Sequence, residues 1–246
     1  NTKYIAKFST QTDTYNMVKG EFIAMRLAAL CGINVAQVKL TQTMGRDVLL
    51  IERFDRIRQR SKWSRLLMQS ALTLLKLDDM RARYASYEDL ADLIRKDFTK
   101  PTDTLEELFA RLVFNIICGN NDDHPRNHAA FWDGEAYTLT PAYDICPQNR
   151  TGNETTQAML ISDNNNASRL TSCLDNASRF LLGEDAAEQI IREQLDVIHN
   201  SWADICDEAQ LTEIERKFFW NRQFLNPSIF FGAEDMQPRH PREETS

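Results

Sequence analysis

The stretch Asn121-Asp122-Asp123-His124-Pro125-Arg126-Asn127 decides how this chain is interpreted. It follows an apolar run, Leu112–Cys118, which predicts the end of a buried helix. Asp122 and Asn127 are five positions apart, in a loop that leaves this helix. Because the loop begins where a buried element ends, we expect the Asp122 side chain to lie at the mouth of a cleft.

A second aspartate, Asp144, stands seventeen residues beyond Asn127. Two alternating stretches, His128–Trp132 and Tyr137–Leu139, flank Asp133-Gly134, which is the strongest short signal for a β-hairpin. A hairpin folds the chain back on itself. We therefore expect the residues at its two ends to lie side by side.

The order of Asp122, Asn127 and Asp144 is the order that protein kinases use for phosphoryl transfer. A carboxylate near the attacking hydroxyl orients it and accepts its proton, while amide and carboxylate oxygens suit Mg²⁺. This reaction needs alignment and neutralisation of charge more than covalent help. Each residue alone is more often a turn former or a solvated group. The three together favour phosphoryl transfer.

The residues before this region fit the same chemistry. Lys7 lies in a predicted strand, Tyr4–Phe8, and Glu21 lies on the predicted helix 14–31. Kinases place a strand lysine on the phosphates and steady it with a helix glutamate. Each residue taken separately is more often a surface charge. The segment 49–54 ends the small lobe, where backbone groups would meet an adenine edge, and an ordinary strand exit is equally consistent with it.

The pattern of elements predicts an α+β, two-lobed fold. A small strand-plus-helix lobe is expected at 1–56, a mostly helical lobe at 57–234, and a disordered tail at 235–246. Further strands are expected at Val35–Leu40 and Val48–Ile51, and a long loop at 145–167. Helices are predicted at 64–76, 86–97, 104–118, 168–181, 184–206 and 211–223.

Composition excludes several classes of protein. The net charge of −7 gives no overall nucleic-acid-binding signature. The five cysteines are scattered without a Cys-x-x-Cys pair, which favours a reduced cytosolic protein and disfavours structural zinc. No apolar run approaches the roughly 20 residues that span a bilayer. The basic run 53–65 could contact phosphate or an acidic partner, although a solvated loop is the more common explanation.

Three further polar residues surround the central stretch. Asp123 has no role in this scheme and is expected to cap the turn. His124 and His128 are four apart, but a helical metal pair is improbable across Pro125. We interpret His124 as a residue that orders the loop through hydrogen bonds and His128 as a strand residue.

The sequence resembles the HipA family of bacterial serine/threonine kinases, the toxins of HipBA-type toxin–antitoxin modules. The resemblance spans roughly residues 2–150, and the helical remainder fits the family's C-terminal lobe. Asp-x-His-x-x-Asn followed by Pro-x-Tyr-Asp is specific to this family, whereas His-Arg-Asp and Asp-Phe-Gly are absent. The motifs are Ile5-Ala6-Lys7-Phe8, Gly20-Glu21-Phe22, Ile51-Glu52-Arg53-Phe54-Asp55-Arg56, Gly119 to His128, and Leu139-Thr140-Pro141-Ala142-Tyr143-Asp144.

The resemblance implies a two-lobed protein-kinase-like fold that binds ATP and Mg²⁺. It implies Asp122 as the catalytic base and Asn127 and Asp144 as metal ligands. It also implies Lys7, steadied by Glu21, as the phosphate-binding lysine. Glu52 and Phe54 would form the hinge around adenine.

The resemblance also implies partners and a compartment. Family members phosphorylate protein serine or threonine, with aminoacyl-tRNA synthetases as substrates, and act as cytoplasmic toxins. A helix-turn-helix antitoxin restrains them, so contact with DNA is expected only through the antitoxin. The family's Gly-rich phosphate loop precedes the lysine strand, whereas this sequence opens at Asn1, without Met, directly before that strand. We therefore expect a natural beginning that was removed or belongs to a separate chain.

Two alternatives remain open. The first is a non-catalytic module that holds an antitoxin or co-represses an operator, which the missing phosphate loop and the basic run would favour. The second is a small-molecule kinase of the aminoglycoside phosphotransferase type, whose His-Gly-Asp and Ile-Asp-Trp-like motifs are not found here.

Overall fold

Three antiparallel strands form the sheet of the small lobe. The computed structural model describes residues 2–10, 15–60, 62–149 and 155–238. Strands β1 (Tyr4–Phe8), β2 (Val38–Thr43) and β3 (Arg46–Glu52) pair in the order β1-β3-β2. Lys7 lies opposite Leu49 on the central strand. The strand predicted at Val35–Leu40 begins three residues later, at Val38. Val35 instead forms an isolated β-bridge with Ala142, in the segment before Asp144.

Helix α1 (Met17–Leu30) packs against this sheet and carries Glu21 on its buried side. The Asn16 side chain accepts a hydrogen bond from the Lys19 backbone N–H at 3.1 Å and so caps the first turn. Gly32, with φ of +81°, provides the left-handed residue that ends the helix. The fixed helix places Glu21 under β1.

The basic run, expected as a connector or solvated loop, is a β-hairpin instead. Strands β4 (Arg56–Gln59) and β5 (Lys62–Arg65) pair with each other and with no other strand of the described residues. Ile57 and Trp63 are the only large apolar residues in it, so the charges mask the alternation that predicts strands. We call residues 56–65 the basic hairpin.

The helix predicted at 64–76 is wrong over most of its length. Strand β6 (Met68–Ser70) precedes a single helical turn, α2 (Ala71–Leu74), which the Ser70 side chain caps. Strand β6 forms backbone hydrogen bonds with β7 (Ala129–Trp132), so pairing with a distant strand overrides the local helical pattern.

The hairpin predicted around Asp133-Gly134 is confirmed. Strand β7 pairs with β8 (Tyr137–Leu139), and β6-β7-β8 form one sheet. Asp133 accepts hydrogen bonds from the N–H groups of Glu135 and Ala136 at 2.8 and 2.9 Å, which tightens the turn. The hairpin therefore returns the chain to the cleft, as the sequence predicted.

Five helices within the described residues build the rest of the large lobe around a continuous apolar core. The predictions at 86–97, 104–118 and 184–206 are confirmed. The helix predicted at 168–181 is shorter, with a 3₁₀ turn at Ala177–Phe180, and the one predicted at 211–223 stops where Trp220 becomes extended. The helices are α3 (Tyr87–Asp97), α4 (Pro101–Cys118), α5 (Leu170–Asp175), α6 (Glu184–Glu208) and α7 (Glu213–Phe219).

The last described residues contradict part of the predicted tail. Glu234–Met236 forms a 3₁₀ turn, and Met236 is buried against the core. Residues 239–246 lie outside the described residues. Within the described ranges, every helix is too short or too polar to cross a membrane.

Candidate active site

A cleft between the two lobes collects the residues that the sequence singled out. A cavity of about 320 Å³ is lined from one side by β1 and α1 and from the other by the loop after α4 and the segment after β8. Its polar lining residues include Lys7, Glu21, Asn120, Asp122, Asn127 and Asp144. The structure therefore places side chains from four separate parts of the chain around one space.

Lys7 connects two carboxylates inside this cleft. Its Nζ donates to Oε1 and Oε2 of Glu21 at 2.7 and 2.8 Å and also forms an ion pair with Oδ1 of Asp144. Burial alone lowers the pKa of Lys7, but the attraction of both carboxylates outweighs it and raises that pKa above its usual value. Lys7 is therefore a fixed positive charge at neutral pH.

Glu21 is the buried member of this group, with a side chain only 4% exposed. Burial raises its pKa, and the nearby Lys7 charge opposes that rise. A buried carboxylate without a cationic partner is costly. Glu21 and Lys7 therefore hold each other in place, which fixes the lysine ammonium at the cleft.

Asp144 has a left-handed backbone, with φ of +60°. Such a conformation is uncommon outside glycine and is tolerated best by Asp and Asn. The segment before it is tied to the small lobe, because Ala142 N–H donates to Asn34 O at 2.7 Å and Ala36 N–H donates to Ala142 O at 2.9 Å. These backbone bonds hold Asp144 facing Lys7.

Arg111 strengthens this connection between the lobes. It lies buried on α4, forms an ion pair with Glu107 at 2.8 Å, and donates to the carbonyls of Asn34 and Thr140 at 3.2 and 2.9 Å. Burial lowers the Arg111 pKa, although the Glu107 carboxylate opposes this. The Thr140 carbonyl belongs to the segment that carries Asp144, and the Asn34 carbonyl also accepts a hydrogen bond from Ala142 in that segment. Arg111 therefore positions the segment.

Gly119 shapes the loop that carries Asp122. It ends α4 with φ of +73°, and its carbonyl accepts hydrogen bonds from the N–H groups of Asn121 and Gln148 at 3.1 and 3.0 Å. A Cβ at this position would lie 2.5 Å from the Gln223 carbonyl oxygen. Only glycine fits both the backbone angle and this close approach.

Asn127 closes the same loop. Its backbone N–H donates to the His124 carbonyl at 2.8 Å, and its Nδ2 donates to the Asp122 carbonyl at 3.4 Å. The Asp122 side chain is exposed and lines the cavity, whereas Asn127 is largely buried beside it. Because Nδ2 is used internally, the Asn127 amide oxygen is the atom available to a cation.

Asp123 is a buried anchor, so the prediction that it caps the turn is wrong. Its carboxylate accepts a hydrogen bond from the Tyr87 hydroxyl and lies 3.0 Å from Nε2 of His128. Asn115 Nδ2 also donates to the Tyr87 hydroxyl at 3.3 Å. This network anchors the loop to the core through Asp123, so that the side chain of Asp122 faces the cleft.

The structure gives no support to a hydrogen-bonding role for the His124 side chain. Its Nδ1 is buried and has no hydrogen-bond partner among the described residues. Only the backbone carbonyl of His124 contributes to the loop, by accepting from Asn127. His128 directly precedes β7 and is buried against Tyr87, with ring centroids 5.3 Å apart, rather than being an ordinary strand residue.

A second cavity of about 280 Å³ adjoins the first and shares Lys7 and Asp144 with it. Glu52 and Phe54 line it, as do apolar groups of Ile5, Ile51 and Met68. The Phe54 ring packs against Tyr143 at a centroid distance of 5.6 Å. An apolar space next to a cationic space has the chemistry that suits a purine ring and its phosphates.

The oxygen donors of the cleft fit Mg²⁺. Asp122, Asn127 and Asp144 offer carboxylate and amide oxygens, the hard ligands that Mg²⁺ prefers. The described residues contain no cluster of three or more His, Cys, Asp or Glu side chains suited to a metal. A Mg²⁺ ion is commonly held by one or two carboxylates together with substrate phosphates.

Cys146 lines the same cleft as a largely buried thiol. Burial raises the pKa of its thiol to about 12. The thiolate, which is the reactive form, is therefore scarce near pH 7.

Sequence reasoning missed Tyr87, Arg111 and Asp123 as parts of the site. Tyr87 lies 35 residues before Asp122 and Arg111 lies on the helix that leads into the loop, but nothing in the local pattern of either residue marks it. The signal for Asp123 was its place directly beside Asp122, since adjacent residues in an extended loop face opposite sides.

The fold and the site define a two-lobed, kinase-like protein. The HipA-like C-terminal domain model matches residues 1–202, and the chain belongs to the HipA family. Three curated relatives, all named as kinases, are 26% to 29% identical over 146 to 162 residues. One is the serine/threonine-protein kinase toxin HipA of Shewanella oneidensis, 26% identical, with 59% of this chain and 36% of the relative covered. The matched region covers 33% to 44% of the length of these relatives.

Two solved structures share the fold. The HipA, HipB and operator DNA complex of Shewanella oneidensis matches with a TM-score of 0.76 and 20% identity, over 96% of this chain and 58% of that chain. The proinflammatory kinase CtkA of Helicobacter pylori matches with a TM-score of 0.65 and 17% identity, over 100% and 93%. The two-lobed kinase-like fold predicted from the sequence is confirmed by both.

Proposed function

We propose that this chain is the catalytic part of a serine/threonine protein kinase that transfers the γ-phosphoryl group of ATP to a protein hydroxyl. The observation that carries the proposal is the position of Lys7, which contacts both Glu21 and Asp144 at a cavity that Asp122 and Asn127 also line. A lysine that contacts two carboxylates beside further oxygen donors is the arrangement with which kinases bind metal-bound phosphates.

Each residue has one role in this proposal. Asp122 orients the acceptor hydroxyl and takes its proton, since it is the exposed carboxylate of the cleft. Lys7 binds the phosphates, and Glu21 keeps the lysine in place when Asp144 releases it. Asn127 and Asp144 hold Mg²⁺, which neutralises phosphate charge when bound. Glu52 and Phe54 line the space for adenine.

Phosphoryl transfer tests the role of Asp122. We expect the chain to release ADP from Mg-ATP, or to phosphorylate itself or a protein acceptor, and Asp122→Asn to slow this by about 10²- to 10⁴-fold. Affinity for Mg-ATP should stay within a few-fold, because the variant keeps the shape of the loop. Asp196→Asn, an exposed change on α6 with the same charge difference, is the control. Equal rates for both variants would exclude Asp122 as the base.

We further propose that the chain acts as a toxin restrained by a helix-turn-helix partner of the HipB type, in the cytoplasm. The solved HipA, HipB and operator DNA complex supports such a partner. Aminoacyl-tRNA synthetases are the proposed substrate class, and contact with duplex operator DNA is proposed only through the partner. Co-purification with an antitoxin expressed from the same operon tests the partner. A chain that stays monomeric beside it would contradict the proposal.

A further inference from the structure

The basic hairpin concentrates positive charge in an acidic protein. Residues 53–65 hold six cationic side chains and one aspartate, a net charge of +5, whereas the whole chain carries −7. The hairpin forms a separate two-stranded sheet. Its charge is therefore displayed on one protruding element rather than spread over the surface.

The single aspartate neutralises only the root of the hairpin. Asp55 accepts a bidentate pair from Arg53 at 2.7 and 2.9 Å and lies 3.3 Å from Arg56. Beyond the root, four exposed cations have no acidic partner among the described residues. They are Arg58, Arg60, Lys62 and Arg65.

The strand register places positive charges close together, which destabilises the isolated hairpin. Arg56 lies directly opposite Arg65, and Arg58 lies directly opposite Trp63. Because side chains alternate along a strand, these four residues share one face of the hairpin. Like charges directly opposite each other destabilise a strand pair. A charged edge that only prevents aggregation does not need opposed arginines.

The same face carries an exposed aromatic ring. Trp63 is 37% exposed, and Lys3 lies over its ring at 5.3 Å, which adds another cation to the group. The Arg53 N–H donates to the Lys3 carbonyl at 2.9 Å, so this contact is anchored to the root of the hairpin. Cations around an accessible indole match the two parts of a nucleotide, its phosphate and its base.

We propose that the basic hairpin binds a single-stranded polynucleotide, with Arg58 and Arg65 on the phosphates and Trp63 stacked on an unpaired base. Single strands are bound by basic surfaces interleaved with aromatic rings. A duplex keeps its bases stacked away from Trp63, and a peptide made only of acidic residues has no ring to stack on it. This function is separate from phosphoryl transfer and does not depend on it.

Fluorescence anisotropy of a labelled 12-nucleotide single strand tests the proposal on the whole chain. For four phosphate contacts we expect log affinity to fall with log salt at a slope of about −3, or about 50-fold between 50 and 200 mM salt. Arg58→Gln with Arg65→Gln should halve that slope. Trp63→Ala should weaken binding about tenfold or more and leave the slope unchanged, because it removes stacking and no charge.

The controls separate this site from general charge and from the cleft. Arg26→Gln with Arg192→Gln makes the same change in net charge on α1 and α6 and should leave binding unchanged. Lys7→Met should also leave it unchanged while abolishing binding of Mg-ATP. Circular dichroism confirms that each variant is folded, so loss of affinity reflects the surface.

Three results would overturn the proposal. The first is binding that Lys7→Met removes and the hairpin variants do not, which would put the strand in the cleft. The second is equal affinity for the matching duplex or for a 12-residue polyglutamate, together with no effect of Trp63→Ala. The third is no binding at 50 mM salt, which would leave the charges as protection of a strand edge.

Discussion

Replacing Gly119 by alanine should damage the protein more than the same change at Gly32. Both glycines lie at helix C-terminal ends with similar left-handed angles, φ of +73° and +81°. A Cβ on Gly32 meets no atom within 4 Å, whereas a Cβ on Gly119 would lie 2.5 Å from the Gln223 carbonyl oxygen and 3.1 Å from its carbon. The pair therefore separates backbone strain from steric clash.

The magnitudes follow from these two terms. The left-handed conformation costs an alanine roughly 1–2 kcal/mol, which both variants share. Displacing the Gln223 backbone adds an overpacking cost of about 1–3 kcal/mol to Gly119→Ala alone. For a chain of this size, 1 kcal/mol lowers Tm by roughly 2–4 °C. We expect Gly32→Ala to lose about 4 °C and Gly119→Ala about 10 °C.

Urea denaturation followed by circular dichroism measures both free energies of unfolding. The clash should also move the loop carrying Asp122, because the Gly119 carbonyl accepts hydrogen bonds from Asn121 and Gln148. Gly119→Ala should therefore weaken nucleotide binding as well, while Gly32→Ala should not. If the two variants lose the same stability, the close approach of Gln223 to Gly119 is wrong.

Two further predictions concern buried groups. Tyr87→Phe removes the donor to the Asp123 carboxylate and should cost about 1.5–3 kcal/mol of unfolding free energy by urea denaturation. Tyr84→Phe, an exposed control, should change it by less than about 0.5 kcal/mol, and equal effects would contradict the Tyr87–Asp123 contact. The pKa of Cys146 is raised to about 12, so its neutral thiol stabilises the folded state. This contribution to the free energy of unfolding is complete below about pH 8.5, the ordinary thiol pKa, and is lost as the pH rises towards 12. At pH 8, iodoacetamide should label Cys146 more than about 100-fold faster in denaturant than in the native chain, as peptide mass spectrometry would measure. Equal rates would contradict the raised pKa of the Cys146 thiol.

The sequence predicted those parts of the fold and site whose signals are local. The turn at Asp133-Gly134 and the spacing of apolar residues in α3 and α4 are set by neighbouring residues, so the hairpin and both helices were predicted correctly. Lys7 and Glu21 were expected to pair because kinases place a strand lysine beside a helix glutamate in this order. The structure places the two side chains in contact.

The parts that sequence missed depend on distant contacts. Strand β6 forms because β7 offers a backbone to pair with, and no residue of β6 indicates this. The basic hairpin was hidden because arginines replace the apolar residues that reveal alternation. Arg111 received no role because its partners, the carbonyls of Asn34 and Thr140, come from the backbone of two other segments.

Isothermal titration calorimetry of Mg-ATP against the chain and its Asp144→Asn variant tests the central claim most directly. Asparagine tolerates the left-handed backbone of Asp144 and removes only the charge. We expect magnesium-dependent binding by the unchanged chain and by the Asp196→Asn control, and a loss of at least about tenfold in affinity with Asp144→Asn, equivalent to about 1.4 kcal/mol. Nucleotide binding that is indifferent both to Mg²⁺ and to Asp144→Asn, or no binding at all, would contradict a kinase site in this cleft.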